Sequence, residues 1–169
     1  IQCGMGRTGK MYAFQHYNVK PDIITTAKAL GCGVPVGAFV AGEKCCDSLV
    51  PGDHGTTYGG NPLATAAVSK VFDLFEEMNI LEHVNEVSNY LEEQLDKLVE
   101  QYDNVVARRG KGLMQGLVLT TPVIDTVNKA IDKGLLVISA GSDVLRMVPP
   151  LVITKENVDE MIEILSQCL

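Results

Sequence analysis

Lys28 is the residue whose type and setting could do covalent chemistry. It follows the short β-branched run Ile23-Ile24-Thr25-Thr26-Ala27 and precedes Ala29-Leu30-Gly31-Cys32-Gly33-Val34-Pro35-Val36-Gly37. Apolar flanks shield an ammonium from water, disfavour its charged form, and leave a neutral amine able to attack a carbonyl. That is the chemistry of a Schiff-base lysine, and the nearby glycines let a planar group approach the backbone. The ordinary alternative is a lysine at a strand end that snorkels to water, and on these residues alone it is the commoner case. Arg146 is the second candidate. Val144, Arg146 and Val148 alternate onto one face of a short strand, which gives a guanidinium fork apolar neighbours and suits it to a carboxylate. An edge-strand arginine with a solvated head would look the same.

Two phosphate-binding patterns fail on context. Gly4-Met5-Gly6-Arg7-Thr8-Gly9 matches G-x-G-x-x-G, and Gly4 to Lys10 matches most of G-x-x-x-x-G-K. A dinucleotide fingerprint needs a strand before it and a helix opening from its last glycine. Only three residues precede Gly4, Lys10-Met11-Tyr12-Ala13-Phe14 begins no amphipathic helix, and Met11 stands where magnesium binding needs Ser or Thr. A glycine cluster serving as a turn is the better reading. Metal chemistry has as little support. Cys3, Cys32, Cys45, Cys46 and Cys168 contain no C-x-x-C, and His16, His54 and His83 lie at no zinc-ligand spacing from them. An odd number of cysteines, two of them adjacent, reads as free thiols in a reducing compartment, with the cytoplasm as the default.

The elements that must position Lys28 and Arg146 follow from punctuation and period. Asp22 to Thr26 and Val34 to Val40 are short, β-branched and bounded by glycine and proline, as buried strands are. Asn61 caps and Pro62 opens a helix whose Val68, Val71, Phe72 and Phe75 fall on one buried face. Leu81, Val84, Val87, Leu91, Leu95 and Leu98 mark a second helix, and Val105 to Leu119 has strand character broken by glycines. A helix through Ile124, Val127 and Ile131 ends at Gly134. Leu135 to Ile138 and Val144 to Val148 are short strands, and Thr154 caps a last helix. The first sixty or so residues thus resemble the end of a larger α/β sheet, and the rest a small α+β core.

Bulk properties narrow the partners. Fourteen basic against twenty-one acidic residues give a net charge of -7, with no basic stripe to meet a phosphate backbone, so nucleic acid is a poor partner. No apolar run approaches the length needed to span a bilayer. The chain starts at Ile1-Gln2-Cys3 without an initiator Met and runs straight into a glycine-rich turn, so it reads as a piece of a longer protein.

Five blocks, in order, carry a family resemblance. They are Gln2-Cys3-Gly4-Met5-Gly6-Arg7-Thr8-Gly9-Lys10, Pro21 to Gly31 around Lys28, Gly52 to Ala64, Gly110-Lys111-Gly112-Leu113-Met114, and Val144 to Leu151. Together they span essentially the whole chain, and it is similar to the C-terminal portion of class III pyridoxal-phosphate-dependent aminotransferases. The pattern Asp53-His54-Gly55-Thr56-Thr57 resembles the acetylornithine subgroup more than the ornithine or 4-aminobutyrate enzymes, with succinyldiaminopimelate as a possible shared substrate.

The resemblance implies the end of a fold type I large domain over residues 1–75 and an α+β small domain over 76–169. It implies pyridoxal 5'-phosphate held by Lys28 through a Schiff base, Lys28 also moving the substrate's proton. Gln2 would lie near the phenolic oxygen of the cofactor, Thr57 would donate to the phosphate across a homodimer interface, and Arg146 would pair with the substrate α-carboxylate. The partners implied are an amino acid and a 2-oxo acid, as in arginine biosynthesis. The family's aspartate for the pyridine nitrogen lies just before the position of Ile1, so the resemblance also implies that these 169 residues alone are inactive and do not necessarily retain the cofactor. Two other classes stay in view: a non-catalytic interaction or dimerisation module, for which Lys28 has no reason to react, and a nucleotide binder using Gly4 to Lys10.

Overall fold

Residues 1–169 are described by a computed structural model, and they form two compact units, Ile1–Leu81 and Glu82–Leu169. In the first unit the β-branched residues after Pro21 make β1 (Ile23–Thr26), which pairs antiparallel with β2 (Ala38–Ala41). The register sets Ile23 opposite Ala41 and Thr26 opposite Ala38. β2 begins four residues later than its apolar run suggests, because residues 31–37 turn the chain. Val34 N–H donates to the Gly31 carbonyl at 3.0 Å, and a Cβ on Gly31 would lie 2.3 Å from the Val34 carbonyl oxygen. Pro35 has no N–H to give a ladder.

α1 (Pro62–Glu77) starts where the sequence places it. The Asn61 side chain accepts from the Ala64 N–H at 3.0 Å, and Pro62 is the first helical residue. Its expected apolar face is only partly covered. Val71 is buried with Met5 and Leu30, and Val68 and Phe75 pack beside them, whereas Phe72 is 40% exposed. One small cluster is all that this unit sets against the helix.

The second unit is built on α2 (Ile80–Gln101), whose first two residues belong to the first unit. Val84, Val87, Leu91, Leu95 and Leu98 are all buried, as their alternating steps of three and four demand. β3 (Val105–Lys111) and β4 (Met114–Leu119) form a hairpin, followed by α3 (Val123–Asp132), β5 (Ile138–Ala140), β6 (Val144–Met147) and α4 (Lys155–Ser166). The sheet order is β3-β4-β6-β5, antiparallel throughout. Leu117 and Leu145 face each other across β4 and β6, completely buried. β5 starts at Ile138 instead of Leu135 because Leu135 N–H closes α3 by donating to the Ala130 carbonyl at 2.8 Å, beside Gly134 at φ +87°.

α4 carries a full capping box, Thr154 with Asn157, and is tied to α2 by side chains. The Tyr90 hydroxyl donates to Asp159 at 2.6 Å, and Lys155 meets Glu86 at 2.7 Å. Beneath the sheet, Arg108 pairs with Asp96 at 2.7 Å and donates to Gln115 at 3.2 Å. The buried Gln115 in turn donates to Glu92 at 2.9 Å and to the Gly112 carbonyl at 2.8 Å. These bonds fix the β3–β4 hairpin onto α2 with its buried polar atoms satisfied.

Candidate active site

β1 delivers the chain to Lys28, which opens a single 3-10 turn, Lys28–Leu30. Lys28 has φ +51° and Cys32 +48°, left-handed conformations that cost a non-glycine residue about 1 kcal/mol or more. The turn is held by Leu30 N–H to the Ala27 carbonyl at 3.0 Å and Gly31 N–H to the Lys28 carbonyl at 3.1 Å. Buried Thr26 and Leu30 anchor it on either side. The apolar flanks do not shield the lysine as the sequence suggests. Lys28 is exposed, since Ala27 and Ala29 offer only methyl groups and Leu30 turns into the core. Its amine has no hydrogen-bond or ion-pair partner.

Beside this turn lies a cavity of about 360 Å³, lined by Pro35, Val36 and Gly37 on one side and by His54, Thr56 and Tyr58 to Asn61 on the other. Gly37 lies against the strand end that precedes the lysine. A Cβ there would lie 3.5 Å from the Thr26 carbonyl oxygen and 3.7 Å from Ala27 Cβ, the two residues before Lys28. Thr57 sits in the opposite wall's loop, exposed, with an unpaired hydroxyl. Its neighbour Thr56 is committed to the loop, accepting from the Gly59 N–H at 3.2 Å. Neither Lys28 nor Thr57 lines the cavity itself; the loop carrying Thr57 forms one wall, and the strand end before Lys28 meets it only through Gly37. His54, Thr56 and Asn61 line the cavity; the sequence marked the first two as part of the Asp53 to Thr57 pattern and Asn61 as a cap, and nothing in their spacing announces a cavity wall.

Gln2 is exposed near the chain start. The glycine loop after it closes on itself, with Gly6 N–H donating to the Met11 carbonyl at 3.2 Å, Gly9 N–H to the Gly6 carbonyl at 2.9 Å, and Met5 buried inside. A four-residue 3-10 turn, Ala13–His16, follows it in place of the helix that a phosphate loop requires. Arg146 belongs to the second unit, on β6, half-buried. It lines an apolar cavity of about 360 Å³ with Leu135, Val137, Met147, Pro150 and Val158 among its walls.

An exposed, unpaired amine on a turn such as that of Lys28 can condense with a carbonyl. The profile of the family "Aminotransferase class-III" matches residues 1–169, and the chain belongs to that family. Among curated proteins it is 46% identical over 167 residues to the acetylornithine aminotransferase of Streptococcus mutans, covering 99% of this chain and 44% of that protein. It is 47% identical over 169 residues to that of Aquifex aeolicus, covering 100% and 43%. Among solved structures, the acetylornithine aminotransferase of Elizabethkingia anophelis superposes with a TM-score of 0.92 at 33% identity, over 99% of this chain and 43% of that one. The ornithine δ-aminotransferase of Plasmodium falciparum gives 0.91 at 35%, over 99% and 44%. The chain therefore spans less than half the length of these relatives and has the α/β fold of the matching part of a fold type I transferase.

Proposed function

We propose that the chain is the C-terminal portion of an aminotransferase that moves an amino group between N-acetylornithine, or a similar ω-amino substrate, and 2-oxoglutarate, in the cytoplasm and as a homodimer, in arginine biosynthesis. Lys28 carries this reading: an exposed, unpaired primary amine on a backbone whose strain the buried neighbours Thr26 and Leu30 maintain. Pyridoxal phosphate fits such a residue, because its aldehyde needs a reachable amine and its phosphate needs donors, of which the Thr57 hydroxyl is one. When bound, that group supplies the electron sink for breaking the bond at the substrate Cα. Lys28 holds it and then moves the proton at that carbon; Thr57 and Gln2 orient it; Arg146 pairs with the substrate α-carboxylate. Residues 1–75 belong on this reading to the cofactor-binding domain and 76–169 to the small domain.

The 169 residues alone are inactive on this reading, since the aspartate that keeps the ring nitrogen protonated is supplied upstream. A hybrid placing the upstream portion of the Streptococcus mutans relative before Ile1 tests the proposal. It should transaminate N-acetylornithine with 2-oxoglutarate in preference to ornithine or 4-aminobutyrate, and Lys28→Ala in the hybrid should abolish turnover. A folded hybrid with no turnover contradicts the proposal, as does comparable turnover by the 169 residues alone.

A further inference from the structure

Cys45 and Cys46 are the one pair of cysteines adjacent in the sequence, and the reaction proposed above uses neither. They sit on a turn whose backbone is well held. Both of their N–H groups donate to the Gly42 carbonyl at 2.9 Å, and the Cys45 carbonyl accepts from the Ser48 N–H at 3.0 Å. Two further bonds tie this turn to the residue before β1. Gly42 N–H donates to the Asp22 carbonyl at 2.7 Å, and Lys44 meets the Asp22 carboxylate at 3.1 Å. The thiols themselves are reachable and uncommitted. Cys46 is exposed, Cys45 is half-buried, and neither is in a disulfide. Cys46 Sγ donates to the Glu43 carbonyl at 3.4 Å, a weak bond for a thiol, and the Cys45 thiol has no hydrogen-bond partner.

A direct bond between the two sulfurs does not suit this pair. Neighbouring Cα atoms across a trans peptide lie about 3.8 Å apart, closer than the roughly 4.4 Å at which unstrained disulfides begin. One atom inserted between the sulfurs lengthens the bridge and removes that strain. Zinc is the wrong atom, because it takes four ligands, and no group of three or more His, Cys, Asp or Glu could hold a metal ion. Two thiols without a third donor fit a soft centre that needs only two bonds from the protein and brings its own third. Trivalent arsenic with one carbon substituent is such a centre, pyramidal and thiophilic.

We propose that Cys45 and Cys46 form a bidentate site for a monosubstituted trivalent arsenical. Two As–S bonds form while two S–H bonds and the bond between arsenic and oxygen break. The two thiol hydrogens leave with that oxygen as water, and arsenic stays trivalent, so no oxidant or reductant is consumed. The turn sets the two Cβ atoms side by side, and rotation about χ1 brings both sulfurs to one arsenic. The site owes nothing to Lys28, and its failure would leave the aminotransferase reading untouched.

Adding phenylarsine oxide to the 169-residue chain in excess β-mercaptoethanol, followed by mass spectrometry, tests this. A single thiol loses arsenic to the monothiol, whereas a chelating pair keeps it. Wild type should retain one phenylarsenic group per chain, on the tryptic peptide of residues 45–70, which contains no other cysteine. Ethanedithiol, itself a chelating pair, should strip it. Cys45→Ser and Cys46→Ser should each weaken retention about a hundredfold, the worth of the second bond made within one molecule. Cys3→Ser and Cys32→Ser should leave it unchanged. Because backbone bonds hold the turn, both serine variants should keep the wild-type amide spectrum. Undiminished retention in Cys45→Ser or in Cys46→Ser overturns the proposal. So does arsenic retained on the Cys3 or Cys32 peptide instead, or none retained by wild type.

Discussion

Lys28 stands in a conformation that the amino-acid sequence does not announce. Its neighbours identified it as a lysine worth considering, but only glycine advertises a positive φ, and Lys28 adopts +51° without being one. Replacing it separates strain from chemistry. Lys28→Val, with a branched Cβ forced into the left-handed region, should unfold about 1–2 kcal/mol more easily than Lys28→Gly in urea. Equal stabilities would mean that the turn is relaxed. Arg146 was legible as a type on an alternating strand; its neighbours Gly116 and Ile138 were not, because they depend on which strands pair. Tyr90 shows a further effect of pairing. Its hydroxyl donates to Asp159, and that bond, with burial and the carboxylate's charge behind it, raises its pKa above the usual 10.0. A raised pKa contributes stability that is complete below the unfolded value and lost as pH rises through the folded one. The thermal midpoint of wild type should therefore fall more steeply than that of Tyr90→Phe as pH rises above 10.0; parallel curves would show that the bond contributes nothing.

At the scale of elements, the helices were the legible part. Asn61-Pro62 and Thr154 mark their starts, the leucine spacing of α2 gives its buried face, and Gly134 marks an end, because caps and helical period are local properties. The short strands were less so. β2 and β5 both begin later than their apolar runs, since Gly31 to Gly37 and Leu135 are used in turning and closing the chain. The β3–β4 hairpin depends on one glycine more than its length suggests. Gly110 has φ +137°, and a Cβ there would lie 2.1 Å from the Met114 carbonyl oxygen and 2.8 Å from Gln115 Cα. Gly110→Ala should cost about 2–3 kcal/mol in chemical denaturation, from strain and from disturbing the bonds of Gln115. A loss below about 0.5 kcal/mol would show that the hairpin can shift to accept it.

At the scale of the whole molecule, burial differs between the units. The second encloses a continuous set of fully buried leucines, whereas the first buries Met5, Leu30 and Val71 and leaves much apolar surface open. Ile23, Phe39 and Val40 on the two-stranded sheet are each more than half exposed, and Leu63 on α1 is 76% exposed. Surface of that kind drives association, so light scattering should show a mass that rises with concentration, and a single monomer at all concentrations would contradict this. The family's five sequence blocks made the class of enzyme readable, but neither the cavity beside Gly37 nor the sheet register could be read before the chain was folded. The account rests on Lys28 being the residue that holds pyridoxal phosphate. Adding that compound, reducing with borohydride and mapping the phosphopyridoxyl mass by peptide tests it most directly. The account predicts label concentrated on the Lys28 peptide and absent there in Lys28→Ala. Label spread evenly over the surface lysines, or none on Lys28, would contradict it.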